Sequence, residues 1–246
     1  NRVLLRNRRI GCSMSGIAQF NAKRGLDTLI DWSEDGYKVI QKYDDIYSDW
    51  LTTPKSIKTT SIKPSGTVSL LAGATPGLHF PEDQYYIRRM RLGANSDLVP
   101  PLIAAGYHIE PAFGSDEGTV VIEIPVYVGE GVRSAKDVSM WEQLSLAALL
   151  QRHWADNQVS ATVTFDPRTE GPQIKHALEH FQYSLKGISF LPRAEKGAYR
   201  QMPYEAITRE KYNELASKLG PINYSSVKGE KATVERFCDG DKCTLT

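Results

Sequence analysis

Cysteine is scarce in this chain: 246 residues contain three, and two of these, Cys238 and Cys243, fall in the terminal stretch FCDGDKCTLT. Three cysteines are too few for a disulfide framework. The expected compartment is therefore the reducing cytoplasm, where a close thiol pair is more often redox-active or metal-binding than structural. An excess of charge of either sign is also missing. Lys and Arg total 30 against 29 Asp and Glu, a net charge of +1, so no general attraction to nucleic acid or to an anionic membrane is expected. No apolar run approaches the ~20 residues that cross a bilayer. The first residues, NRVLLRNRRIG, have neither the apolar stretch nor the cleavage pattern of a secretion signal. They also lack an initiator Met and enter a basic segment at once, which leads us to expect a piece whose N-terminal partner is absent.

What is present is an ordinary globular composition, 41% hydrophobic and 24% charged, with enough apolar mass for a sizeable core. Residues 8–24 read as a packed helix ending near Gly25. A second helix, with Asp27 near its start, carries apolar residues at helical spacing as far as Trp50, and Pro54 closes the hairpin. Strands are expected at 58–63, 84–92, 118–128, 158–165 and 187–191, the third with an edge or bulge at Pro125. Helices are expected at 96–106, 135–154, 170–184 and 205–219, and a short one after the PSGT turn. Beyond Leu219 the chain turns polar and rich in Gly, Ser and Lys, which reads as a flexible tail over 220–246. Alternating strands and helices give an α/β class with helical hairpins.

Four stretches could carry chemistry. In KPSGTVSLLAG (63–73) a strand runs through Ser65, Gly66 and Thr67 directly into a helix. Unpaired N–H groups at a helix start, a glycine that permits close approach, two hydroxyls and the nearby Lys63 make a credible phosphate cradle. The spacing is not that of a Walker A loop, and a plain Ser/Thr cap on a strand–helix turn, which is common, is the other reading of the pattern. In GATPGLHF (73–80), Gly77 and its neighbours argue for a constrained turn, and His79 reads as a ligand, an acid/base or a half-buried histidine bonded to backbone. HALEH (176–180) matches a zinc-peptidase pattern in which His176 and His180 would hold the metal and Glu179 act as base, but no third ligand stands out and the helix looks like a surface helix. In the tail, Cys238 and Cys243 flank Gly240, where a turn could bring the sulfurs together. On a mobile tether such a pair could exchange with a disulfide elsewhere and then be reduced by a carrier. Two incidental surface thiols, or half of a zinc site, remain the alternatives. Cys12, among small residues, reads as packed.

The order of RNRRIG…SGIAQF, TTSIKPSGTVSLLAGATPGLHFP, YYIRRMR, WADNQVSATVTF, ISFLP with QMPYE, and the terminal C-x4-C resembles the C-terminal part of a ribonucleotide reductase large chain. The likeness is greatest to the monomeric, adenosylcobalamin-dependent (class II) enzymes acting on ribonucleoside triphosphates. The resemblance implies that residues 1–219 are the C-terminal part of a ten-stranded α/β barrel and 220–246 a redox tail. It implies thiyl-radical conversion of ribonucleotides to 2′-deoxyribonucleotides, initiated from adenosylcobalamin. Ser65, Gly66 and Thr67 would bind the substrate phosphate, with Lys63, Gly77 and His79 near the substrate. Cys238 and Cys243 would be a dithiol shuttle reduced by thioredoxin or a similar dithiol. The family's radical cysteine, active-site glutamate and two reducing cysteines have no counterpart here, so the chain alone is expected to be incomplete and inactive. A non-catalytic nucleotide-binding module is the alternative from another class.

Overall fold

The computed structural model describes residues 2–114, 118–193, 200–225, 227, 238–239 and 242–243. The chain opens with helix α1 (Arg2–Asn7) and strand β1 (Arg9–Cys12), and helices α2 (Ile17–Arg24) and α3 (Leu26–Trp50) return it to β2 (Lys58–Thr60). A 3-10 helix (Val68–Ala72) precedes β3 (Tyr85–Gly93), α4 (Val99–Ala104), β4 (His108–Pro111) and β5 (Thr119–Tyr127). Helix α5 (Met140–His153), β6 (Thr162–Phe165), α6 (Ile174–Phe181) and β7 (Ser189–Pro192) follow. The last described elements are β8 (Tyr204–Ala206), α7 (Arg209–Ala216) and the two-residue strands β9 (Cys238–Asp239) and β10 (Lys242–Cys243).

Two ladders organise the molecule. In the first, β1 pairs parallel with β2, Ile62 bridges in parallel to Val159, and β6 pairs parallel with β7. Parallel neighbours need long crossovers; here α2 with α3 and then α6 supply two of them. The apolar core lies between this ladder and its helices. Ile17, Leu29, Ile62, Leu78, Leu150 and Val159 pack together, and Met140, Leu144, Val163, Phe165 and Phe181 form an adjoining cluster. The second ladder is an antiparallel sheet in the order β4-β5-β3-β8. Strand β5 lies inside that sheet, yet β4 stops at His108 opposite Glu123, so β5 has a free edge at Pro125. The missing N–H of proline is tolerated there for that reason.

Several boundaries differ from the sequence expectation. Residues 9–12 form a strand and the helix begins only at Ile17, because Gly16 adopts a left-handed conformation (φ 74°) and breaks the run. Cys12 consequently lies on an exposed strand and is not packed. Helix α5 starts at Met140, five residues later than expected, because the Ser139 hydroxyl accepts from the Glu142 N–H, an S-x-x-E capping arrangement. Residues 204–206 join β3 as a strand, and α7 starts after Thr208, whose hydroxyl accepts from Lys211 N–H. Pro100 and Pro101 sit in the first turn of α4, where helix N–H groups lack partners anyway. Among the described residues no helix is long and apolar enough to cross a membrane. Most of the expected tail, 220–246, lies outside the described residues.

Candidate functional site

The segment after β2 and the segment 73–79 are knitted into one surface. The Ser65 hydroxyl accepts from the Gly77 N–H at 2.9 Å and shares a hydrogen bond with the Ser15 hydroxyl at 2.7 Å. The Lys63 N–H donates to the Ser13 hydroxyl at 2.8 Å. Gly16 N–H donates to the Thr75 carbonyl, and Gln19 accepts from Thr75 N–H while donating to the Gly73 and Val128 carbonyls. Gly77 has φ 51°, and a Cβ there would run into the Lys63 carbonyl oxygen, so only glycine lets the two segments close up. The stretches 63–67 and 73–79, with the distant 12–19, thus build one rim.

Ser65 itself adopts a positive φ of 37°, an unusual strain for a non-glycine residue. Its hydroxyl is engaged with Ser15 and Gly77 and does not cap the helix. The plain cap expected as one alternative is therefore not what forms, and Thr67, at the cap position, makes no side-chain cap bond either. The helix that follows is a five-residue 3-10 helix, so its dipole is a small contribution. The donors themselves are the useful feature. The N–H groups of Gly66 and Thr67 meet no acceptor among the described residues. A Cβ on Gly66 would meet open space.

His79 has both ring nitrogens committed to backbone. Nδ1 faces the Pro76 carbonyl at 3.1 Å, and Nε2 accepts from the Thr162 N–H at 3.1 Å. Because Nε2 accepts, Nδ1 carries the proton, and the ring is held neutral. Burial lowers its pKa below 6.5, and the Pro76 hydrogen bond only partly offsets this. His79 therefore ties the 73–79 turn to the start of β6, as the half-buried reading expected.

The WADN stretch acts on the same ladder. The Thr60 hydroxyl donates to the Trp154 carbonyl, and the Trp154 indole donates to the Ser61 carbonyl. Asp156 accepts from the Thr59 N–H at 3.0 Å, the Thr59 hydroxyl at 2.8 Å and the Tyr37 hydroxyl at 2.9 Å. Burial alone would raise its pKa, but the Thr59 and Tyr37 hydrogen bonds outweigh burial and hold it below 3.8. Asn157 Nδ2 donates to both the Ile10 and Thr60 carbonyls. The motif is a clamp across β1, β2 and the approach to β6.

In HALEH the His176 and Glu179 side chains are exposed and 3.7 Å apart, whereas His180 packs edge-on against Trp141 and Phe181. No group of three potential ligands that could hold a metal occurs among the described residues. In the terminal strands, Cys243 stands opposite Cys238 in an antiparallel register. Directly opposed Cα atoms in such pairs lie about 4.5–5.5 Å apart, inside the ~4.4–6.8 Å span that a disulfide requires.

No family model matches the chain. Individual proteins do. It is 57% identical over 249 aligned residues to a probable adenosylcobalamin-dependent ribonucleoside-triphosphate reductase of Dictyostelium discoideum, covering 100% of this chain and 33% of that protein. The Euglena gracilis adenosylcobalamin-dependent ribonucleoside-triphosphate reductase is 55% identical over 99% of this chain and 34% of its own length. A crystal structure of a B-12 dependent (class II) ribonucleotide reductase superposes with a TM-score of 0.78 at 34% identity, covering 89% of this chain and 34% of that one. The chain is a homologue of the adenosylcobalamin-dependent ribonucleotide reductases. This reductase homologue spans about a third of the length of the relatives it matches, and its fold is α/β as theirs is. Sequence reasoning missed Ser13, Ser15 and Gln19, whose short polar side chains signal nothing until β1 is known to lie beside β2.

Proposed function

We propose that this chain is the C-terminal part of a ribonucleotide reductase that converts ribonucleoside triphosphates to 2′-deoxyribonucleotides by thiyl-radical chemistry. The observation that carries this reading is the similarity to triphosphate reductases along the whole chain. Residues 1–219 contribute the last strands of a ten-stranded barrel, of which the parallel run β1, β2, β6, β7 is a part. Residues 220–246 form the redox tail. Ser65, Gly66 and Thr67 receive a substrate phosphate, with Lys63, Gly77 and His79 shaping the rim. The free donors of Gly66 and Thr67 support this assignment, although here the binding power lies in individual N–H groups more than in a helix dipole.

Adenosylcobalamin is the radical source in this reading. When bound it supplies the radical through homolysis of its cobalt–carbon bond. Neither His79, committed to backbone at both nitrogens, nor His153, bonded to Glu34, is free to hold it. In this reading most of the cofactor contacts lie in the rest of the polypeptide. The working compartment is the cytoplasm and the reductant is thioredoxin or a similar dithiol. The facing register of Cys238 and Cys243 supports a pair that closes to a disulfide as it passes electrons inward. In the full-length protein, Cys238→Ser or Cys243→Ser should stop thioredoxin-driven turnover while a small dithiol still sustains it. Equal loss with both reductants would remove the shuttle. A full-length protein that binds nucleotide but reduces none with adenosylcobalamin and dithiol would favour the binding-module alternative.

A further inference from the structure

An open cleft of about 480 Å³ lies beside Thr67 of the Ser-Gly-Thr turn. Thr67 forms one wall, and the edge of β3, with Arg88, Met90 and Arg91, forms the other. Val121, 1% exposed, lies at its base. The cavity exists because β8 ends early. Tyr204 pairs with Arg88, Pro203 accepts from the Arg89 N–H, and β3 then continues with no strand on that side among the described residues. Since N–H groups on one edge alternate along a strand, that of Arg91 points into the same gap.

The charges around the cavity divide into two groups. Arg89 is spent: it pairs with Glu123 and Glu205, one positive charge against two negative ones. Gln201 is likewise committed, donating to Glu110 and the Pro111 carbonyl and accepting from Phe113 N–H. Arg88 and Arg91 are not spent. Arg88 stacks over the Tyr204 ring at 4.3 Å and donates to the Pro203 carbonyl, but its Nε is buried without an acceptor. Arg91 is exposed and has neither ion pair nor hydrogen bond among the described residues. Arg88 and Arg91 project from opposite faces of β3 but both line the cavity without a counter-ion among the described residues, and guanidinium groups on either side of the open strand edge, with the Thr67 N–H across from them, suit an oxyanion with several charges.

We propose that this cavity holds the distal phosphates of the nucleotide, with Arg88 and Arg91 as the residues that select a triphosphate over a diphosphate. The inference rests on the Ser65–Thr67 turn receiving the first phosphate, and the experiment separates the two. Equilibrium binding and KM would be measured on the full-length reductase with matched ribonucleoside tri- and diphosphates, and with inorganic tripolyphosphate as competitor. Arg91→Gln should weaken triphosphate binding about tenfold, as expected for one lost charged hydrogen bond. Diphosphate binding should change less than about twofold, tripolyphosphate should compete less well, and kcat should hold. Arg91→Lys should restore most of the difference, which a folding defect would not allow. If Gly66→Val removes binding while Arg91→Gln leaves the tri-to-diphosphate ratio unchanged, the turn stands and this inference falls. If neither variant matters, both fall. A change confined to stimulation by an effector nucleotide also overturns it.

Discussion

At the scale of single residues, Gly66 and Gly77 are two glycines of one rim with opposite expectations. Gly77 has a left-handed φ and would place a Cβ in the Lys63 carbonyl, so Gly77→Ala should lower stability by about 2–4 kcal/mol in denaturant unfolding. Gly66 faces open space, and Gly66→Ala should stay within about 0.5 kcal/mol. Any loss of nucleotide binding in a Gly66 variant then reports on the ligand and not on the fold. His79 gives a pH signature. Its folded pKa lies below the unfolded 6.5 because of burial. The unfolded state therefore takes up the proton first, so the contribution is fully present above about pH 6.5 and is lost as pH falls toward the folded value. The melting temperature between pH 7.5 and 5.5 should fall more steeply for the native protein than for His79→Gln. Parallel slopes would mean that the ring does not stay neutral in the folded state. Of these residues the sequence displayed the types and the order. It could not display that Ser65 would bond Ser15 and Gly77, because that depends on a neighbour 50 residues away.

At the scale of elements, the clamp around Asp156 is the part of the ladder most exposed to a single change. Asp156→Ala leaves the Thr59 N–H and hydroxyl and the Tyr37 hydroxyl without their acceptor. About 2–4 kcal/mol of stability should go with it, since a buried donor loses its partner outright. Because hydrogen bonding holds the Asp156 pKa below 3.8, the native stabilisation is present above that value and is lost as pH falls through the lower folded value. Acid unfolding of Asp156→Asn should therefore be shallower in that range. Helix α3 was legible because 25 residues of periodicity average out local exceptions. Strand β4 was not: HIEP has no alternation of its own and becomes a strand only by lying along Val120–Glu123. Arg9–Cys12 misled for the same reason, since Ile10 and Met14 suit helical spacing as well as they suit a strand beside β2.

At the scale of the whole molecule, motif order identified the kinship, whereas the physical reason for each motif emerged only in three dimensions. WADN reads as a signature, and it proves to be architecture; PSGT reads as a helix cap, and its serine turns out to brace a neighbouring turn. That clamp has a kinetic consequence. Asn157 Nδ2 reaches the Ile10 carbonyl across 147 positions and the Thr60 carbonyl across 97, so the seam between the first two strands is finished by a residue synthesised much later. Contacts this distant in sequence slow folding, because the intervening loop must close before they reward it. On the ribosome, the first-half bonds along the seam of the two strands, such as Lys63 N–H to Ser13, can form first, and the Asn157 clamp closes over them only after the second half of the chain has emerged.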